Sequence, residues 1–425
     1  MDTPHRADSR PITRRTLLKS AGIGAAAFVG ARLPLFTATV TAAAAAPAFE
    51  VLWVKPISQT PEFYYGWPTV GVTKDDELIV SVSGGRQGHV CPFGRVDLFR
   101  SHDRGETWSW PRTIYDGPID DRDSGLLVTS RGTILATTFT SLAYADRFLD
   151  AEIRRRANGE KGMDDAMFDR WLRTHNRIDA GQRVRELGSF LFRSTDDGVS
   201  WEKRRRIPVN SPHGPFQLRG GRILYPGIEM WTEERAEYFA REKAAGESPA
   251  PSGNTVSIWY SDDDGQNWGF LAPIPVRPGD DPLLYSELHG VEASDGTLVV
   301  QIRNENKRDD GATLQTESTD GGKTWSEPRL IDVWGHPSHL WRLSDGRLLM
   351  TYGYRREPFG QQARVSGDCG KSWSEPMLLT GGGPPRDLGY PSTVQLSDGS
   401  LVSVWYEQPD PDQNARLMTA RWVLK

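Results

Sequence analysis

Cysteine is scarce in this chain: Cys91 and Cys369 are the only two in 425 residues, and they lie far apart. So few cysteines exclude a disulfide framework, and we do not expect a single bridge between them. A basic excess is also missing, because 51 Lys and Arg stand against 56 Asp and Glu. The charge therefore gives no support for nucleic-acid binding. Beyond the N-terminal region, no apolar run approaches the length of a membrane-spanning helix.

The first 46 residues have the features of an export signal. Thr13–Lys19 resembles a twin-arginine signal, with Arg14 and Arg15 followed by an apolar stretch, and an alanine run at 42–46 offers small-residue cleavage sites. We therefore expect residues 1–46 to be removed and the mature chain to be secreted or periplasmic. After cleavage we expect no stable membrane association; an uncleaved membrane anchor is the alternative.

Fifteen Trp and 43 Gly accompany a short repeat. The pattern Ser-x-Asp-x-Gly-x-x-Trp occurs at 101–108, 194–201, 261–268, 318–325 and 366–373. Its Asp can accept backbone N–H bonds inside a tight turn, its Gly supplies a positive φ, and its Trp can wedge between sheets. Five copies in one chain indicate a repeat architecture.

A second repeat, a polar turn followed by an apolar strand, occurs six times. Its copies are 75–80, 130–138, 219–227, 294–302, 344–352 and 397–405. We call the Ser-x-Asp-x-Gly-x-x-Trp repeat the Asp box. Six turns and five Asp boxes predict an all-β, six-bladed β-propeller over residues 49–425, in which the last blade lacks an Asp box. We expect residues 49–57 to supply its outer strand beside 417–424, because ring closure removes exposed sheet edges.

The alternation of strands places the turns and boxes on a lower face and the starts of the inner strands on an upper face. Residues 143–188 and 229–247 show apolar residues at helical spacing. Both segments follow second strands, so we expect two helical insertions beside the upper mouth of the channel.

The upper face carries chemistry-bearing side chains at equivalent places. The six inner strands align on the second residue of each turn, which is Glu77, Gly132, Gly221, Gly296, Gly346 or Gly399. Nine positions before this residue lie Pro68, Asp123, Pro212, Glu287, Pro337 and Tyr390, and seven or eight positions before it lie His213, His289 and His339. Basic residues follow the second strands at Arg86, Arg303, Arg355 and Arg356. Because an apolar β-core has no use for such a ring, it predicts a ligand-binding or catalytic site.

The Asp boxes, the six-fold strand count and the segment GYPSTVQLSDGSLVSVWYE at 389–407 resemble the sialidase (neuraminidase) superfamily across residues 49–425. The resemblance implies that Tyr390 is a covalent nucleophile and that Glu287 is its base. It also implies that Arg303, sixteen residues after Glu287, and either Arg355 or Arg356 hold a substrate carboxylate.

Two family features are missing where the resemblance would place them. The first inner strand opens with Tyr65-Gly66-Trp67-Pro68 and has no arginine, and the loop 84–94 has no carboxylate and carries only His89 and Cys91 as titratable groups besides Arg86. Arg86 is the expected replacement for the arginine. Asp123, or alternatively Asp121, is the expected replacement for the general acid.

These observations predict an exported, exo-acting, retaining glycoside hydrolase that releases a terminal acidic sugar from a glycan and needs no cofactor. A polysaccharide lyase on the same scaffold is one alternative, in which a His or Tyr abstracts a proton beside an arginine-neutralised uronate. The three channel histidines could hold a metal there, although no close-spaced ligand motif supports it. A glycan-binding propeller without catalysis is the other alternative. The oligomeric state stays open.

Overall fold

The computed structural model describes residues 45–229, 256–383 and 387–425. The expected export signal lies outside the described residues except for its last two positions, and the expected insertion 229–247 lies outside them except for Glu229. Among the helices of the described part, none is long and apolar enough to cross a membrane.

The described strands form six antiparallel sheets, each a blade whose innermost strand lines a central channel. Blade 1 contains β2 (Tyr64–Val72), β3 (Leu78–Arg86), β4 (Arg95–Ser101) and β5 (Arg112–Tyr115). Blade 2 contains β6 (Asp120–Val128), β7 (Ile134–Ser141), β8 (Ser189–Ser194) and β9 (Arg205–Ile207). Blade 3 contains β10 (Val209–Asn210), β11 (Phe216–Gln217), β12 (Ile223–Glu229), β13 (Val256–Ser261) and β14 (Gly269–Pro273).

The remaining blades follow the same order along the chain. Blade 4 contains β15 (Tyr285–Glu292), β16 (Leu298–Asn304), β17 (Ala312–Ser318) and β18 (Arg329–Trp334). Blade 5 contains β19 (Ser338–Arg342), β20 (Leu348–Tyr354), β21 (Gly360–Ser366) and β22 (Met377–Thr380). Blade 6 contains β23 (Leu388–Gln395), β24 (Leu401–Glu407), β25 (Arg416–Leu424) and β1 (Phe49–Pro56). The predicted six-bladed, all-β architecture is confirmed.

The N-terminal strand closes the ring as the repeat count predicted. β1 is the outer strand of blade 6 and pairs with β25, from Phe49 opposite Leu424 to Pro56 opposite Met418. β1 thereby joins the first described strand to the last one and covers an edge that β25 would otherwise expose.

The Asp boxes form the turns that their residue types predict. In blade 2, Asp196 accepts hydrogen bonds from the Ser194 hydroxyl (2.8 Å) and the Ser200 backbone N–H (2.9 Å), while the Gly198 N–H donates to Ser194 Oγ (2.8 Å). Hydrogen bonds from Ser200 and Ser194 lower the pKa of Asp196 to about 2, so the turn holds a carboxylate.

The first insertion is helical, with a π-helical turn at Ala145–Leu149 followed by α1 (Asp150–Ala157), α2 (Asp165–His175) and α3 (Ala180–Glu186). Two short 3₁₀ turns, Pro282–Leu284 and Lys307–Asp309, lie in blade 4. Trp171 of α2 is buried in a cluster with Cys91 and Tyr144, and its indole N–H donates to Gln87 Oε1 at 3.0 Å. The insertion therefore packs on the loop between β3 and β4 at the upper face.

Candidate active site on the upper face

Four inner strands carry the same irregularity near their upper ends. The pairing register shifts between Gly66 and Thr69, Arg122 and Gly125, Ser286 and His289, and Gly389 and Ser392. Inside each interruption one non-glycine residue has a positive φ: Trp67 (60°), Asp123 (38°), Glu287 (50°) and Tyr390 (54°). Bulges of this kind re-aim a side chain, and positive φ is costly for such residues. Four repeats of one strained feature point to a site built there.

The first member of this ring is Trp67, and the sequence alignment that placed Pro68 there was wrong by one residue. In the turn of blade 1 the N–H of Asp76 donates to Thr73 O (3.2 Å), as Gly132 does to Thr129 O in blade 2 (2.8 Å). Asp76, with φ 61°, therefore stands where the other turns have Gly, although the alignment used Glu77.

Tyr390 and Glu287 meet across the channel. The Tyr390 hydroxyl donates a short hydrogen bond to Glu287 Oε1, and Arg303 donates to Glu287 Oε2 at 2.7 Å and to the Tyr390 hydroxyl at 3.2 Å. Burial would raise the pKa of Glu287, but the charge and hydrogen bonds of Arg303 lower it below its ordinary value. Burial and the Glu287 charge raise the pKa of Tyr390 well above its ordinary value. The resting pair is a neutral phenol held by a carboxylate.

Two arginines border this pair. Arg303 also donates to Glu305 Oε1 at 2.7 Å, and Arg355 donates from Nε to the carbonyl of Leu388 at 2.9 Å, with its guanidinium 5.9 Å from the Tyr390 ring. Arg356 instead stacks on the Trp334 ring at 3.7 Å and is exposed. Of the two sequence candidates in blade 5, the structure brings Arg355 to the site.

Asp123 lies on the same level and is 7% exposed. Burial and the charge of Glu287 raise its pKa to about 7, against the opposing charges of Arg122 and Arg86. Asp121, the alternative general acid, is fully buried, and its carboxyl accepts a hydrogen bond from the Gly117 N–H at 2.7 Å. The Glu287 charge therefore acts on Asp123, whereas the Asp121 carboxyl is bound to the Gly117 backbone.

Arg86 does not reach the site surface, which corrects its predicted contact with substrate. Its side chain is 0% exposed and forms a two-pronged pair with Asp120, at 2.6 and 3.0 Å. Its remaining N–H groups donate to Ser83 Oγ and to the carbonyls of Gly88 and His89. With every donor committed, this guanidinium anchors the loop between β3 and β4.

Two of the three channel histidines form a layer below Tyr390. His289 and His339 stack with ring centroids 4.3 Å apart, and they line a cavity of about 250 Å³ in the lower half of the channel together with Val72 and Trp341. Burial lowers the pKa of His289 to about 3, so the ring is neutral. Their predicted role in binding substrate on the upper face is therefore corrected: these two rings face the other half of the channel.

His213 lies between the two levels, 5.2 Å from His339 and 6.3 Å from the Tyr390 ring. Burial lowers its pKa well below the ordinary value. Among the described residues, no group of three His, Cys, Asp or Glu side chains is arranged to hold a metal ion.

The sequence analysis missed several neighbours of the Tyr390–Glu287 pair. Arg122 lies over the Trp67 ring at 4.5 Å and donates to the carbonyl of His89 at 3.1 Å. The charges of Arg303 and Arg355, added to burial, lower the pKa of His336 to about 3. Arg122 adjoins Asp123 and His336 adjoins Pro337, so each lies one residue before a ring position, and the sequence alignment considered only the ring positions themselves.

Comparison with known proteins agrees with this architecture. The family model described as a BNR repeat-like domain matches residues 173–403, more than half of the chain. The chain belongs to the BNR repeat-like domain family. No curated protein sequence matches it.

Solved structures extend the likeness of this BNR-repeat protein to nearly the whole propeller. A protein of unknown function from Dyadobacter fermentans is 22% identical with a TM-score of 0.68, and the match covers 89% of this chain and 100% of that one. The NanB sialidase from Streptococcus pneumoniae is 13% identical with a TM-score of 0.57, covering 88% and 70%. The intramolecular trans-sialidase from Ruminococcus gnavus is 15% identical with a TM-score of 0.56, covering 85% and 94%.

The predicted resemblance is therefore confirmed for the fold: this BNR-repeat protein is a six-bladed propeller whose fold is similar to that of these two solved structures. At identities this low a shared fold does not transfer an activity, because one propeller scaffold hosts many functions. The roles of individual residues depend on the geometry of the site.

Proposed function

We propose that this protein is a retaining glycoside hydrolase that removes a terminal acidic sugar from a glycan. One observation carries the proposal: the Tyr390 hydroxyl donates its hydrogen bond to a Glu287 carboxylate that Arg303 keeps ionised. A phenol bound to a base in this way is prepared to lose its proton as it attacks a carbon atom.

The chemistry explains why a phenol suits an acidic substrate. When the anomeric carbon carries its own carboxylate, an attacking Asp or Glu is repelled, whereas a neutral phenol is not. In the first step the Tyr390 oxygen bonds to the anomeric carbon, its proton passes to Glu287, and the bond to the leaving oxygen breaks. In the second step water displaces the Tyr390 oxygen, which takes back the proton from Glu287. Two displacements retain the anomeric configuration.

The acidic group of the sugar has cations to bind. Arg303 donates to the Tyr390 hydroxyl, the Arg355 guanidinium lies 5.9 Å from the Tyr390 ring, and Arg355 is half-buried. Within the described residues the terminal amino groups of Arg355 donate no hydrogen bond, which favours it as the anchor for a carboxylate. Glu305 binds one terminal amino group of Arg303, while the Nε of Arg303 has no hydrogen-bond partner among the described residues.

Two groups near Tyr390 could supply the proton that the leaving oxygen needs, Asp123 and His89. The first has a pKa of about 7, which suits proton exchange near neutrality.

Export completes the proposal. The twin-arginine pattern at Thr13–Lys19 supports delivery of the folded chain outside the cytoplasm. Replacing Arg14 and Arg15 with Lys should retain the full-length chain in the producing cell, as immunodetection in cell fractions would show. Continued export of that variant would contradict the pathway.

The deciding experiment replaces Tyr390 with Phe. This change removes one oxygen and keeps the packing, so we expect hydrolysis to fall roughly 1,000-fold or more, with the melting temperature nearly unchanged. Glu287→Gln should have a similar effect, and the double variant should be little worse than either single one, because the two groups act together. Tyr352→Phe is the matched control: its buried hydroxyl donates to Gln362 in blade 5, away from the site.

The assay should follow both products of a glycan panel, new reducing ends and the ultraviolet absorbance of unsaturated uronates. Reducing ends of retained configuration without that absorbance support the proposal. Absorbance would indicate a lyase, and binding without any product would indicate a glycan-binding propeller. A Tyr390→Phe variant with most of its activity would refute the mechanism.

A further inference from the structure

A second ordered cluster lies beside Tyr390, centred on Asp387. Asp387 accepts hydrogen bonds from His89 Nδ1 (2.6 Å), from the Tyr406 hydroxyl (2.6 Å) and from the Tyr64 hydroxyl (2.5 Å). Burial opposes ionisation, but these bonds and the charge of His89 lower the pKa of Asp387 to about 2. The cluster therefore contains a carboxylate that is ionised near neutral pH and accepts a hydrogen bond from the His89 imidazole.

The cluster fixes the orientation of His89. Its Nδ1–H donates to Asp387, so Nε2 is the nitrogen left to exchange a proton. Its carbonyl accepts hydrogen bonds from Arg86 and Arg122, each at 3.1 Å, and its ring packs edge-on against Trp67 with centroids 5.0 Å apart. The buried Arg86 thus holds the loop, and Asp387 holds the ring. Nevertheless, half of the His89 side chain is exposed.

The His89 imidazole and the Tyr390 ring both contact the same aromatic side chain, Trp67. Trp67 contacts the rings of both His89 and Tyr390, at 5.0 and 6.4 Å, and Tyr406 contacts Tyr390 at 5.7 Å. Asp387 also precedes Tyr390 by only three residues and lies immediately before β23. His89 therefore lies on the solvent side of the site, where the remainder of a glycan must depart. Asp123, which is 7% exposed, occupies the bulge of β6 that is equivalent to the bulge of Tyr390 in β23.

We infer that His89, oriented by Asp387, is the acid/base group of the upper-face site, and that it acts on the leaving oxygen. This inference rests on the proposed hydrolysis. In the first step the electron pair of the breaking carbon–oxygen bond passes to the leaving oxygen, which takes the Nε2 proton of the His89 imidazolium. In the second step neutral His89 takes a proton from water, whose oxygen bonds to the anomeric carbon and releases Tyr390. The imidazolium is thereby restored, and no other reactant is needed.

The test compares substrates that differ only in the leaving group, using the mature full chain. Natural glycans leave as alkoxides and need a proton, whereas 4-nitrophenyl glycosides of the same sugar leave as stable phenolates. His89→Gln should slow the natural substrate roughly 100- to 10,000-fold, the usual contribution of general acid catalysis, and should affect release of nitrophenolate in the first turnover only a few-fold. Added azide, which needs no base to attack, should accelerate later turnovers of the variant and form a glycosyl azide.

Asp387→Asn tests the orienting role of the carboxylate and should show the same pattern with a smaller loss. The pH–rate profile for natural substrates should lose one limb in His89→Gln, while the limbs due to other groups remain. The charged or titratable groups that face His89 are Asp387 and Tyr64 through the ring, and Arg86 and Arg122 through the carbonyl.

Each other outcome overturns the inference. Equal losses on both leaving groups without azide rescue would show that His89 only anchors the loop. A leaving-group-dependent loss in Asp123→Asn together with none in His89→Gln would make Asp123 the acid. In both cases, loss of hydrolysis in the Tyr390→Phe variant would still support the proposed function. If the unaltered protein cleaves no glycoside, both proposals fail together.

Discussion

Replacing Arg303 with Met should destabilise the propeller in a pH-dependent way. Arg303 and Glu287 each have 16% of the side chain exposed, and they pair at 2.7 Å beneath the Tyr390 hydroxyl. Methionine keeps much of the volume and removes the charge, so Glu287 would remain buried beside Tyr390 without a counter-ion. The loss of stability should then come mainly from the unpaired Glu287 carboxylate and not from the lost side-chain volume.

The magnitude follows from that burial. Breaking one side of a buried ion pair typically costs about 3–5 kcal/mol, and the partial exposure of this pair lowers our expectation to about 2–4 kcal/mol at pH 7. In the parent protein the pKa of Glu287 is lowered, so its stabilising contribution is present above the pKa of an unfolded Glu and is lost as the pH falls through the folded pKa. In the variant, burial alone raises that pKa, so the penalty disappears once Glu287 is protonated.

Urea unfolding at pH 7 and at pH 4 measures the difference. The free energy of unfolding of Arg303→Met should lie furthest below that of the parent at pH 7 and approach it at pH 4. Adding Glu287→Gln should restore much of the loss at pH 7, because no charge is then left unpaired. An equal deficit at both pH values, or no restoration in the double variant, would refute this account of the pair.

Two further predictions concern stability. Asp123→Asn should stabilise the protein at pH 8 by up to about 4 kcal/mol, the equivalent of a pKa raised from an ordinary Asp value to about 7. Stability at pH 4 should be nearly unchanged, because the folded protein disfavours only the ionised form. A melting temperature that rises equally at both pH values would contradict this expectation. Trp373 belongs to an Asp box, is 4% exposed and donates to Gln315, so Trp373→Ala should lower the free energy of unfolding in urea by about 3–5 kcal/mol. Trp110 is 65% exposed and lies outside the boxes, so Trp110→Ala should change that free energy little. Equal losses in the two variants would contradict the wedge role of the box Trp.

Local patterns predicted more of the fold than of the site. Repeats such as 194–201 and 397–405 specify turns through short-range chemistry, and counting them was sufficient for the blade number and for the closing role of β1. The one-residue error in blade 1 arose because Asp76 adopts the positive φ that Gly has in the other turns. A residue pattern cannot show which non-glycine residue bears that strain.

The sequence by itself determined the propeller and the ring of inner-strand positions, because repeat spacing places equivalent residues at equivalent heights. The family resemblance implied that Glu287 serves Tyr390, and the structure added the ion pair between Glu287 and Arg303. Only the tertiary structure decided which side chains are free to meet a ligand. Arg86 and Arg355 lie at and just after the end of the second strand of their blades. Asp120 binds Arg86, whereas the guanidinium of Arg355 lies beside the Tyr390 ring. His89 and Asp387 are 298 residues apart, and only closure of the ring between blades 6 and 1 brings them together. Contacts across such distances depend on packing, which no local pattern encodes.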